Sequence, residues 1–259
     1  MERKKDKIAE ARINEYLAAG ISPLEWRLYP VRKLSDGSRL GWFSRLYVNS
    51  LKLGALAPET YEPCTAATLR GAKLAMRQLE EADRLFDSLS AKGEALPLVT
   101  VSMPLKMFLG KTSKRAFEDF LGGLTPQKAS ALCLAFTPEL LFMKREEINP
   151  RLADASKLGL RTALAGYGEE YCPPLRLKGL RFDYVIYAPE FSRAAARGEA
   201  DAAALAEMAG ALGYARIART DDPDKYFGDA GLDPSAIPAD YVTGGAGLTV
   251  RELLGEVRA

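Results

Sequence analysis

The sequence predicts a parallel α/β fold that closes as a TIM-barrel-like (β/α)8 domain. Three observations carry this reading. Eight β-rich segments are spread along the chain, most of them followed by a helical segment. The length of 259 residues suits one such barrel, a fold that runs to roughly 250 residues. No Pro/Gly/Ser-rich linker interrupts the alternation, so residues 1–259 are expected to form a single domain.

The elements follow in order. Apolar Ile8, Ala9, Ile13, Tyr16 and Leu17 recur at helical spacing and Gly20 ends the pattern, which predicts a leading helix within residues 1–20 that packs on the barrel. Trp26–Lys33 and Leu40–Val48 read as strands joined through Ser35-Asp36-Gly37. Their Asp-Gly pair signals an antiparallel hairpin. A long amphipathic helix is expected over Ala66–Leu89, with apolar Leu69, Leu74, Leu79, Leu85 and Phe86. Further strands are expected at Pro97–Ser102, Ala131–Phe136, Leu160–Leu164, Phe182–Tyr187, Tyr214–Ala218 and Asp240–Thr243. Helices are expected at Ser113–Leu121, from an Asn149 N-cap with Pro150 at the first position to Lys157, and at Ala200–Leu212. Thr249 and Glu252 form a capping box for a last helix. Residues Asp221–Ile237, rich in Asp, Pro and Gly, read as a long loop or a short broken helix.

Composition excludes several function classes. There are 36 Lys and Arg against 34 Asp and Glu, a formal charge of +2, so no electrostatic case exists for nucleic acid or membrane partners. Cys64, Cys133 and Cys172 have neither C-x-x-C spacing nor a disulfide pattern, which fits a reducing, cytoplasmic setting. The absence of His removes Ser-His triads, His-ligated metals and His acid–base pairs at once. Cys172, with no basic neighbour in sequence, reads as a structural thiol. Trp26 and Trp42 read as hairpin packing.

Trp26-Arg27-Leu28-Tyr29-Pro30-Val31 with its hairpin, Leu98–Met103, Leu132–Thr137, Gly159–Gly168, Phe182–Ile186 followed by Glu190-Phe191, and Ala239–Gly244 occur in an order and spacing that resemble the EAL-domain family of bacterial cyclic di-GMP phosphodiesterases. The likeness spans about residues 14–254. It implies a (β/α)8 barrel of EAL type with an antiparallel first hairpin and its site at the C-terminal ends of the strands.

Carried over position by position, the resemblance implies that the chemistry is lost. Where the family has Glu-Ala-Leu at the end of its second strand, this chain has Phe43-Ser44-Arg45, and the phosphate-contacting Arg two places on falls on Tyr47. The family's Asn and Glu metal ligands fall on Ser102 and Ala135, and its paired Asp on Ala165 and Gly166. Its Lys, Glu and Gln of the last strands fall on Ile186, Arg219 and Thr243. Two-metal phosphodiester hydrolysis requires several carboxylates around hard cations. No catalytic residue, metal ligand or cofactor is therefore assigned.

The expected function is that of a degenerate, catalytically inactive EAL barrel, a regulatory protein in bacterial signalling that acts through contacts with a protein partner, itself included as a homodimer. An alternative is a non-hydrolysing receptor for cyclic di-GMP or another phosphorylated ligand. A further alternative is an enzyme with repurposed chemistry at the barrel mouth. Arg45 and Arg219, with the Gly244-Gly245 loop, are the candidate anion site, since two guanidinium forks on one face can clamp a phosphate. Local pairing of Arg219 with Asp221 or Asp222 is the competing structural reading. Glu169 and Glu170, nearest to the lost acidic pair, read as solvated loop.

Overall fold

The computed structural model describes residues 24–50, 54–65, 68–109, 111–169, 172, 174–224 and 237–255. Strands β1 (Leu24–Lys33) and β2 (Arg39–Ser50) form the expected antiparallel hairpin. Its turn places Gly37 at φ 71°, and the Gly37 N–H donates to the Lys33 carbonyl at 2.9 Å. A short β3 (Gly54–Leu56) pairs with the end of β2.

Parallel strands β4 (Leu98–Met103), β5 (Leu132–Phe136), β6 (Arg161–Tyr167), β7 (Tyr184–Tyr187), β8 (Ala215–Thr220) and β9 (Tyr241–Gly244) continue from β2. The ring closes because β1 pairs antiparallel with β2 on one side and with β9 on the other. A two-residue β10 (Leu248–Thr249) adds to β1 outside the ring.

The helices are α1 (Pro58–Thr65), α2 (Leu69–Ala91), α3 (Lys106–Leu109), α4 (Lys111–Gly122), α5 (Pro126–Ser130), α6 (Arg145–Lys157), α7 (Pro189–Ala196), α8 (Ala200–Ala211) and α9 (Val250–Leu253). Single 3-10 turns occupy Pro138–Phe142 and Pro174–Leu177.

Strand alternation sorts the apolar residues into two cores. Val31, Cys133, Ala135, Ala163, Ile186 and Ile217 point into the barrel and are buried there. The opposite faces meet the helices, where Leu74, Leu79, Leu85 and Phe86 of α2 pack at helical spacing. The axis of the barrel is thus a packed core, and any binding volume lies above it.

The lower rim carries one device twice. Asp183, just before β7, accepts from the Thr162 N–H at 2.8 Å and from Arg161 at 3.0 Å. Asp240, just before β9, accepts from the Arg216 N–H at 2.8 Å and holds its guanidinium through both carboxylate oxygens at 2.9 and 3.0 Å. Each Asp ties the start of its own strand to the start of the strand before it. Burial alone would raise the Asp240 pKa, but the hydrogen bonds from Arg216 hold it below the ordinary value.

Two sequence expectations are corrected. The long helix starts at Leu69, behind a Thr68 cap whose hydroxyl accepts from the Gly71 N–H, and a separate α1 precedes it. Asn149 is not an N-cap: α6 begins at Arg145 with Pro150 inside it, and the Asn149 amide donates to the Gly179 carbonyl at 2.9 Å. The first turn opens with the Lys144 N–H bonded to the Glu147 carboxylate, a signal the Asn-Pro pair obscured. The polar loop after β8 is described only at its two ends, and the expected leading helix lies outside the described residues. Among the described residues no helix is long and apolar enough to cross a membrane.

Candidate functional site at the barrel mouth

The C-terminal ends of the parallel strands converge on one rim. The register sets Phe43 beside Thr100, Ser102 beside Ala135 and Arg219 beside Thr243. Phe43, Ser102, Ala135, Ala165, Gly166 and Arg219 all line a cleft of about 280 Å³ above the core. The strand-end positions chosen from sequence are therefore neighbours in space.

Arg45 and Arg219 do meet at the mouth, but with a carboxylate between them. Glu59, the second residue of α1, bonds Arg45 and also accepts from the Arg219 guanidinium at 2.8 Å. Burial would raise the Glu59 pKa, yet the Arg219 hydrogen bond and the Arg45 charge hold it below the ordinary carboxylate value. The aromatic rings fix the same two cations from the other side. Arg219 lies over Phe43 at 5.3 Å, and Arg45 over Tyr47 at 5.2 Å. The local pairing of Arg219 with Asp221 does not form; Asp221 instead lies 3.9 Å from Arg193.

Glu59 and Glu62 escaped the sequence reading because no element was assigned between β2 and the long helix. Pro58-Glu59-Thr60-Tyr61-Glu62 carried a usable signal, since Pro opens a helix and positions three apart share a face. Glu62 faces Ser102. Burial pushes its carboxyl up to about 7, the Ser102 hydroxyl draws it back, and the Glu59 charge raises it further. Across the cleft Glu169 is raised by burial and by the charge of Glu139. Glu169 is exposed, as expected of a loop residue, and also lines the cleft, whereas Glu170 lies outside the described residues.

Four buried polar atoms lining this cleft have no partner among the described residues: Ser44 Oγ, Gln78 Oε1, Thr137 Oγ1 and Glu139 Oε2. Buried polar groups are paired in most folded proteins. Four such atoms at a single opening make it the place where a polar ligand or ordered water would pair with them.

Arg45, Arg219, Gly244 and Gly245 share a second cleft of about 230 Å³, separated from the first by Phe43 and the two guanidinium groups. Thr243 lines it and is 1% exposed, and its hydroxyl has no partner among the described residues. Gly244 has a structural reason of its own: at φ 147° a Cβ would overlap the Thr220 carbonyl oxygen of the neighbouring strand. Cys172 and Cys133 are buried thiols. Burial pushes Cys172 up to about 12 and Cys133 higher still, which leaves neither as a nucleophile.

No family model and no curated protein matches the sequence. Solved structures do. The PaMucR phosphodiesterase in its c-di-GMP complex is similar at 17% identity and a TM-score of 0.75, with 93% of this chain and 99% of that chain covered. The EAL enzyme Bd1971 with cAMP and cyclic-di-GMP bound is similar at 13% identity and a TM-score of 0.75, covering 100% of this chain and 70% of that one. An EAL domain protein from Listeria monocytogenes EGD-e is 14% identical with a TM-score of 0.67, covering 93% and 95%. The fold is that of the EAL domains. At such identities the likeness extends to the barrel, its inverted first strand and the position of its mouth, and not to the residues that line it.

The EAL-type mouth here does not suit the two hard cations that phosphodiester hydrolysis uses. Phe43, Ala135, Ala165 and Gly166 offer no side-chain oxygen, and the acids of the cleft come from α1 and from loops instead. Among the described residues no three acids or cysteines converge closely enough to hold a metal ion.

Proposed function

We propose that this EAL-fold chain is a non-hydrolysing regulatory protein of cyclic di-GMP signalling that acts through protein contacts. The observation that carries the reading is the rim itself. Barrel-mouth strand positions without carboxylates surround an Arg45–Glu59–Arg219 bridge in which one acid is shared by two cations. A phosphodiesterase would need that space for metal-bound oxygens. Phe142 and Leu175, 64% and 80% exposed, support a protein-contact role. They lie on two turns joined by the Arg176 bond to the Leu141 carbonyl at 2.9 Å.

The test has two arms. Incubation with cyclic di-GMP and Mn²⁺ should give no linear product; metal-dependent turnover would overturn the reading. Sedimentation and affinity capture of the wild type should give a defined complex, homodimer or heteromer, that Phe142→Ser with Leu175→Ser abolishes.

A second reading, a receptor for a phosphorylated ligand, is favoured by one observation: Arg45, Arg219, Gly244 and Gly245 line the same cleft. Calorimetry with cyclic di-GMP in the absence of metal tests it. Equal binding by wild type, Arg45→Ala and Arg219→Ala would remove it.

A further inference from the structure

Beside the bridge at the mouth, the first cleft carries further carboxyl groups and a surplus of hydrogen-bond acceptors. Arg45 and Arg219 are its cations, and Glu59 bonds both. Glu62, Glu139 and Glu169 remain, and none of the three has an ion pair among the described residues. Burial and then the nearby charge of Glu139 raise the Glu169 carboxyl, so the two side chains lie close enough to repel.

The unpartnered atoms point the same way. Ser44 and Gln78 are 4% and 3% exposed and both face the cleft. Gln78 Oε1 and Glu139 Oε2 can only accept, and Ser44 Oγ and Thr137 Oγ1 can accept as well as donate. A ligand that satisfies this set must bring several donors and no negative charge. Ammonium brings three N–H donors and guanidinium five, with no acceptor on either. Phe43, Ala135 and Pro138 line the same cleft and offer apolar surface to a short methylene chain. A bare metal ion fits less well, because no three ligands converge among the described residues.

We infer that the first cleft is a binding site for a small organic cation, an alkylammonium or alkylguanidinium, held by Glu139, Glu169, Ser44 and Gln78. The inference rests on the reading of the mouth as non-hydrolysing, and it gives that mouth a ligand of opposite sign to a nucleotide phosphate. The Arg45–Glu59–Arg219 bridge then acts as the wall that keeps the cation from the basic second cleft.

Calorimetry on the whole chain at low ionic strength, with putrescine and agmatine as probes, tests it. A saturable one-site heat is expected. Glu139→Gln and Glu169→Gln should each weaken it about tenfold, the effect of losing one charge-assisted hydrogen bond. Ser44→Ala should weaken it a few-fold, and Glu207→Gln on the exposed side of α8 should leave it unchanged. Absence of heat at millimolar probe, or affinity indifferent to both Glu substitutions, would overturn the inference. So would equal binding of uncharged 1,4-butanediol by wild type, a control that needs no variant to fold. Tighter binding of Mg²⁺ or Mn²⁺ than of either amine would make the site a metal site and overturn it too. Cyclic di-GMP hydrolysis assayed on the same preparation keeps the two failures apart: turnover removes the non-hydrolysing reading, whereas silent amine titrations remove only the cation.

Discussion

Glu59 and Arg219 are 160 positions apart and hydrogen bonded at 2.8 Å. With Arg45 as the third member, this contact joins the helix after β2 to the end of β8, on the face where EAL-type barrels keep their chemistry. Arg45 and Arg219 are 18% and 21% exposed and Glu59 is 50% exposed. Such a partly wet bridge supplies modest stability and strong positional control.

Glu59→Gln should therefore cost only about 0.5–1 kcal/mol in urea denaturation, and less in high salt. Its larger effect should be electrostatic. With the carboxylate gone, two uncompensated guanidinium groups face the second cleft, and pyrophosphate affinity by calorimetry should rise about tenfold, the scale of one charged hydrogen bond. Unchanged affinity would show that Glu59 does not limit anion access.

Glu62 makes stability depend on pH in a defined window. Its carboxyl is raised from the ordinary 4.5 to about 7, so the folded state holds a proton that the unfolded chain has released. The stability from that proton is complete below about 4.5 and is lost as pH rises toward 7. Because Glu62 keeps some exposure to the cleft, about 1–2 kcal/mol is the expected size. In Glu62→Gln this slope should vanish between pH 4.5 and 7 in thermal scans, leaving the variant more stable than wild type at pH 8.

Asp240→Asn tests the lower rim. The substitution keeps the shape but removes the charge from a fork bonded by both Arg216 nitrogens and its backbone N–H. A loss of about 1–2 kcal/mol is expected by chemical denaturation. Arg216→Lys should not restore the fork, because one ammonium cannot span both oxygens in parallel.

Gly244→Ala should cost about 2–4 kcal/mol, since the new methyl overlaps the Thr220 carbonyl oxygen and φ 147° is strained for any side chain. Amide exchange should localise the loosening to β8 and β9. A neutral effect would mean that the two strands separate freely at the rim.

The barrel was legible because its signals are local. Strand runs such as Leu98–Ser102, the Asp36-Gly37 turn and the Thr249–Glu252 capping box each name their own conformation, and the structure bears them out. The candidate site was legible in position but not in chemistry. Phe43 and Arg45 of β2 and Arg219 of β8 could be placed at the mouth, whereas their partner Glu59 sits on a helix that the sequence pattern did not announce. Asn149-Pro150 misled for the opposite reason: a strong local start signal was overridden by a tertiary bond to Gly179. Long-range polar pairs such as Glu59 with Arg219 have no periodicity to betray them.

The inverted first strand has a consequence for how this chain comes to be. Val31 of β1 lies opposite Thr243 of β9, so the first of the described strands must wait with one edge unsatisfied until nearly all the described residues have been synthesised. Until then an apolar strand edge is open to strangers. Ring closure is necessarily a late, non-local event. During biosynthesis this protein's greatest exposure to misassembly therefore lies at the seam between β1 and β9.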